Sequence, residues 1–115
     1  MFENIFSSIQ KKNPEIKIVG VWGKDGLELE KMTFSNLEID LEFTAAEVAD
    51  IISKIDGIKI LPDHFFVNLA FASHYFTIFS LTSDYFLIVI SDEKLILGKL
   101  QFYMGMYKKE IISIL

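Results

Sequence analysis

Residues 64–91 read HFFVNLAFASHYFTIFSLTSDYFLIVIS, and this run decides the fold. From His64 to Ser83 there is no Asp, Glu or Lys, and after Asp84 the stretch 85–90 is apolar again. The uncharged stretch is long enough to cross a bilayer. Asn68, Ser73, His74, Thr77, Ser80, Thr82 and Ser83 nevertheless stud it with groups that cost energy in lipid. Its other residues are mostly aromatic and β-branched, which suits pleated sheet. The run therefore predicts three strands, over 64–71, 75–82 and 85–91, rather than an integral membrane segment. Ala72-Ser73-His74 and Thr82-Ser83-Asp84 join them. Strands joined so briefly are antiparallel neighbours. Because they are apolar on both faces, layers must cover the sheet on each side.

Upstream, Thr44 is a natural helix N-cap and Glu47 follows three residues later, as in a capping box. Val48, Ile51, Ile52 and Ile55 form an apolar stripe, and Gly57 stands where a left-handed C-terminal residue is wanted. The reading is a helix over 44–56, followed by a connection over 58–63. Earlier still, 16–23 reads as a strand with Val19 and Val21 on one face and Ile16, Ile18 and Trp22 on the other. Lys24-Asp25-Gly26 supplies a tight turn, and 27–34 returns as a second strand with Glu28 and Glu30 alternating against Leu27 and Leu29. Acids on an outer strand discourage edge-to-edge association. Residues 35–43 are either a linker or a strand extension. Phe2, Ile5, Phe6 and Ile9 recur at helical spacing, giving a helix over 2–12 that Asn13-Pro14 ends.

Downstream, Asp92 can cap a last helix over 93–114, with Leu97, Leu100, Met104, Tyr107, Ile111 and Ile114 at steps of three or four. Gly98 and Gly105 are costly inside a helix, so each is expected to mark close backbone packing. The order is helix, strand, strand, helix, three strands, helix. That makes the fold α+β, with the last helix on one face of the sheet and the capped helix on the other.

Composition narrows the function. The 115 residues carry a net charge of −5, and 51% of them are hydrophobic. Length and apolar content fit one domain, 1–115, and exclude a disordered chain. All eleven basic residues are lysine, and there is no cysteine. Disulfides and thiolate metal sites are excluded. An acidic chain without arginine is a poor nucleic-acid binder, since phosphates need clustered cations and bases are commonly read by arginine. The opening residues Met1-Phe2-Glu3 carry an acid where a signal peptide has a basic start, so a cytoplasmic protein is expected.

Chemistry is hard to place. His64 and His74 are the two histidines, and Asp63 precedes the first. They fall at or near opposite ends of one hairpin arm, with no third ligand indicated. Glu28, Glu30, Glu38, Asp40 and Glu42 read as a hydrated face rather than a cation site. Gly20, Gly23 and Gly26 sit inside a hairpin, not before a phosphate-binding helix. No serine or threonine has a nucleophile-elbow context. The expectation is no catalytic, cofactor or metal site. The informative surface is apolar: the strand 64–71 has no lysine, proline or inward charge to deter pairing, and the hairpins place it at a sheet edge. Beside an isoleucine-striped helix, such an edge suggests pairing with a second copy, the alternative being that a helix or loop covers it.

This arrangement resembles the roadblock/dynein light-chain family, especially its small prokaryotic, gliding-polarity-type members. The likeness rests on the hairpin Val19-Gly20-Val21-Trp22-Gly23-Lys24-Asp25-Gly26-Leu27-Glu28-Leu29, the three hydrophobic strands, and Ile90-Ser91-Asp92 leading through Leu97-Gly98 into a leucine-bearing helix. It departs in its short second helix, its unusually aromatic strand 64–71 and the absence of arginine from the final helix. The resemblance implies a roadblock/longin-like five-stranded antiparallel sheet with one helix on one face and two on the other. It also implies a non-enzymatic homodimer, or a pair with a paralogue, whose edge strands join into ten strands. Such a dimer would be a regulatory platform for a small Ras-like GTPase. The interface residues so implied are Val48, Ile51, Ile52, Ile55, Phe65, Phe66, Val67, Leu69 and Phe71. Without arginine, any stimulation of GTP hydrolysis must act without an arginine finger. Two alternatives stand beside this: a structural adaptor in a motor or scaffold assembly with no GTPase, and a small-ligand sensor of profilin- or PAS-like appearance.

Overall fold

A computed structural model describes residues 1–58, 66–71 and 73–115. The elements are α1 (Glu3–Lys12), β1 (Ile16–Gly23), β2 (Glu28–Thr33), α2 (Leu41–Asp56), β3 (Phe66–Phe71), β4 (His74–Ser80), β5 (Tyr85–Asp92) and α3 (Leu97–Ile114). The strands form one antiparallel sheet in the order β2-β1-β5-β4-β3. Short turns make β1–β2, β3–β4 and β4–β5 neighbours, and β5 closes the sheet by pairing with β1. The α+β order of the sequence reading and its five-stranded sheet are thus observed.

The β1–β2 turn is built as its residues dictate. Gly26 takes φ +87°, a region open to glycine. Its N–H donates to the Gly23 carbonyl at 2.9 Å, and the Leu27 N–H donates to Asp25 Oδ1 at 3.0 Å. Two apolar layers follow from strand alternation. On one face Val19, Val21, Leu87 and Val89 meet Phe2, which precedes α1, Phe6 and Ile9 of α1, and Leu100, Met104 and Ile111 of α3. On the other, Ile18, Trp22, Phe76, Ile78, Phe86, Ile88 and Ile90 meet Ala45, Val48, Ala49 and Ile52 of α2. One helix covers one face and two cover the other. A fully buried Val, Leu, Ile, Phe or Met among them contributes about 1.5–3 kcal/mol.

Simple alternation fails near the start of β1. Ile16 faces α1 and α3 while Ile18 faces α2, although residues two apart on a strand should share a face. The pairing shifts there: Ile16 opposes Ser91 and Ile18 opposes Ile90, leaving Lys17 as the extra residue of a bulge. A bulge turns the strand's parity without breaking the sheet.

The helix ends also correct the sequence reading. The N-cap of α2 is Asp40, whose Oδ1 accepts from the Phe43 N–H at 3.0 Å. Thr44 lies in the first turn, where its Oγ1 donates to the Asp40 carbonyl at 2.7 Å, so no Thr44–Glu47 box forms. Leu37, Ile39 and Leu41 pack on the α2-side core, and this draws the chain into helix one turn early. Residues 35–40 are therefore connection, and 41–43 are helix. Gly57 is right-handed, with φ −74°. The last helix starts at Leu97 rather than 93, because Asp92 Oδ1 accepts from the Lys94 N–H in a tight turn that buries Leu95. Gly98 and Gly105 do not mark close packing, for a β-carbon at either would meet nothing within 4 Å among the described residues.

Candidate interaction surface

The two sheet edges differ sharply. On β2, Lys31 pairs with Glu28 at 3.3 Å, and Glu30 Oε2 accepts from the Phe2 N–H at 2.6 Å. Charges thus stand along that edge, and the start of α1 is tied to it. On β3 the chain reads Phe66-Val67-Asn68-Leu69-Ala70-Phe71, with no charge. Its inner edge pairs with β4 over its whole length, and among the described residues nothing pairs with its outer edge. Phe66 stacks on Phe79 at 5.8 Å and is 40% exposed. Phe71 meets Phe76 edge-on at 5.2 Å and is 55% exposed. Val67 and Leu69 are half-buried. Asn68 Oδ1 accepts from Thr77 Oγ1 at 3.0 Å, which holds the strand to its neighbour.

Helix α2 is rotated by its core contacts. Thr44 lines a notch with Phe71 and Phe76, whereas Ala46 lies against the β1–β2 turn, 3.4 Å from the β position of Gly26. The flank bearing Thr44 and, a heptad on, Ile51 therefore looks toward β3. Ile51 and Ile55 are half-buried there, and Ile58, just past the helix, is 47% exposed. Val48 and Ile52 lie differently. They are 3% and 0% exposed and belong to the chain's own core, because they point straight down at the sheet. Phe65 and His64 lie outside the described residues. The sequence reading took 58–63 as mere connection and so missed Ile58. Its position seven residues beyond Ile51 was the available signal.

The notch is open, has a volume of about 280 Å³, and is lined by Leu37, Ile39, Thr44, Phe71, His74 and Phe76. Ser73 Oγ and His74 Nδ1 are 3.1 Å apart. A second cleft of about 380 Å³ lies at the β1–β2 turn, lined by Gly23, Lys24, Asp25, Leu27, Glu28, Leu29, Asp84 and Tyr85. Among the described residues no three His, Asp or Glu side chains converge in a way that holds a metal ion. Among them, too, no helix is long and apolar enough to cross a membrane. What this geometry offers chemically is an unsaturated strand edge beside an apolar helix flank, suited to pairing with another polypeptide.

This is the roadblock fold. The solved structures it resembles at high probability are MglB and Roadblock/LC7 domain proteins. The gliding protein MglB of Thermus thermophilus superposes with a TM-score of 0.83 at 14% identity, covering 97% of this chain and 86% of that one. The Roadblock/LC7 domain from Streptomyces avermitilis gives 0.76 at 17% identity, over 94% and 92% of the two chains. Myxococcus xanthus MglB gives 0.75 at 20% identity, over 93% and 88%. No family model and no curated protein matches the sequence.

Proposed function

We propose that residues 1–115 form a single roadblock-family domain that acts, as a dimer, as a non-enzymatic platform for a small Ras-like GTPase. The observation that carries this reading is the outer edge of β3, which pairs with none of the described residues, beside the Ile51–Ile55–Ile58 flank. Antiparallel pairing of two such edges satisfies backbone N–H and C=O groups that no described residue pairs, and extends five strands to ten. The same step brings two α2 flanks side by side and removes the half-exposed isoleucines from water. Phe66, Val67, Leu69 and Phe71 supply the strand side of this contact, and Ile51 and Ile55 the helix side. A self-paired surface of this kind obeys two-fold symmetry. A paralogue with the same bare edge is the other partner it admits, and a cytoplasmic setting goes with both.

The GTPase enters through the resemblance to the roadblock family and the likeness to MglB folds. The chain has no arginine to insert into a partner's active site. Any acceleration of hydrolysis therefore acts by repositioning the GTPase's own groups, or through a lysine with poorer geometry for phosphate. The test is titration of the Ras-like GTPases of the source cell, each loaded with GDP or a non-hydrolysable GTP analogue. Expected is a complex with one GTPase that discriminates between nucleotide states. Absence of any complex in either state overturns the reading.

A further inference from the structure

The lysines of this acidic chain are unevenly spread. Residues 3–12 and 93–114, which hold α1, α3 and the turn before α3, contain six lysines and three acids. The rest of the chain contains five lysines and thirteen acids. Helices α1 and α3 cover the same face of the sheet, so the excess of lysine is gathered on one side of the molecule. Lys11, Lys12, Lys94, Lys99 and Lys109 are exposed, and Lys108 is half-buried. Among the described residues none of the six pairs with a carboxylate, and Lys12 Nζ lies 5.9 Å from the Tyr103 ring. Their charge is therefore offered to whatever approaches this side.

Apolar side chains stand among these cations. Leu100, Met104 and Ile111 point at the sheet, so residues 99, 102, 106 and 109, at steps of three and four, fall on the outer face of α3. Phe102 is 66% and Met106 56% exposed, with Lys99 one turn before the pair and Lys109 one turn after it. Ile96, the N-cap residue of α3, is 63% exposed. Phe102 touches Tyr103 edge-on at 5.3 Å, and at Gly98 and Gly105 the outer face is open.

We propose that the α1/α3 side docks on a membrane surface rich in anionic lipid, with Phe102 and Met106 entering the headgroup layer and the lysines resting on lipid phosphates. Binding of this kind adds apolar burial to electrostatic attraction, and both are present on one surface here. The cations are spread over two helices rather than gathered round a pocket, and all are lysine, a point charge without the planar fork of arginine. A fluid headgroup layer meets such a surface without matching its shape, which an acidic protein would have to do. Thirteen acids elsewhere repel the same membrane, so the charge pattern also fixes which way the molecule faces. The α2 flank lies across the sheet and stays clear of the lipid. The inference goes beyond the platform reading and needs no second copy. Where β3 edges do pair, the two-fold axis runs through the sheet. Both copies then turn this side the same way, and two contacts reinforce each other.

Co-sedimentation with vesicles tests this. Vesicles of phosphatidylcholine alone are compared with vesicles of two parts phosphatidylcholine to one of phosphatidylserine. Expected at low salt is binding to the anionic vesicles and not to the neutral ones, lost steadily as added salt screens the charges. Lys99→Glu should weaken binding by roughly tenfold. Lys54→Glu makes the same change of charge on exposed α2 and should leave binding as it was. Phe102→Ser keeps the charge and should weaken binding by roughly fivefold, as loss of an inserted aromatic does. All three positions are exposed, and circular dichroism and melting temperature check that each variant is folded. No binding to anionic vesicles overturns the proposal and turns the search toward an acidic polypeptide. Binding that ignores salt, equal effects of Lys99→Glu and Lys54→Glu, or full binding by Phe102→Ser overturns it too. Ala70→Lys, which guards the β3 edge, should retain salt-dependent binding, so loss of pairing and loss of docking are read separately.

Discussion

The Trp22 indole lies across the backbone of Gly20: a β-carbon placed on Gly20 would fall 2.6 Å from ring atoms Cη2 and Cζ3. Trp22 is fully buried in the α2-side core, so its ring cannot simply swing away. Glycine is needed here for space rather than for backbone conformation. Gly20→Ala should cost about 1–3 kcal/mol, the usual penalty of overpacking a filled core. Urea denaturation measures the cost. Because Trp22 is the chain's one tryptophan, its emission should also shift as the ring is displaced. Unchanged stability and emission would mean that the ring relaxes freely.

Asp40, not Thr44, starts α2. Asp40→Ala is expected to destabilise the fold by about 1 kcal/mol, as loss of an N-cap does. Thr44→Val removes a side-chain bond to a carbonyl within the first turn and should cost less. Thermal unfolding of the two variants side by side gives the ranking, and the reverse order would return the cap to Thr44.

Ile51 and Ile52 are adjacent in sequence and separate in role. Ile52→Ala removes a fully buried side chain beneath α2 and should cost about 2–5 kcal/mol of subunit stability. Ile51→Glu falls on the half-buried flank that faces β3. It should leave subunit stability within about 1 kcal/mol while weakening self-association by roughly tenfold. Denaturation and sedimentation equilibrium separate the two effects. Equal loss of association from both variants would contradict the assignment.

Ala70 lies exposed on β3, in register with Tyr75. Ala70→Lys places on this edge the kind of charge that guards β2. The variant is expected to be monomeric at concentrations where the parent pairs, with an unchanged melting profile at low concentration. Light scattering reads the mass, and a dimer that survives the lysine would show that β3 is not the seam.

Much of this architecture is legible in the sequence. Asp25-Gly26 forces the β1–β2 hairpin, and the bounds of β1 follow from its apolar run. The absence of charge across 66–71 marks an edge strand without gatekeepers. Legibility ends where two local signals compete. Asp40 and Thr44 are both good caps, and Leu37 and Ile39 reaching the core chose between them. Ile16 and Ile18 read as one face until the bulge at Lys17 divides them. Gly98 and Gly105 read as packing sites, yet they look outward. On α2 the stripe Val48, Ile51, Ile52 and Ile55 is a single motif in the sequence. In the fold it divides into two core residues and two flank residues.

By itself the chain determines its element order, its hairpins and the unguarded character of one strand. These depend on turn chemistry and on side-chain period, both local properties of the polymer. Tertiary structure decided which isoleucines of α2 look toward β3. It also placed the exposed Phe102 of α3 and the notch beside α2 on opposite faces of the sheet. The reason is physical: periodicity orients a side chain about its own helix or strand axis, but what stands across from it is set by packing against distant parts of the chain.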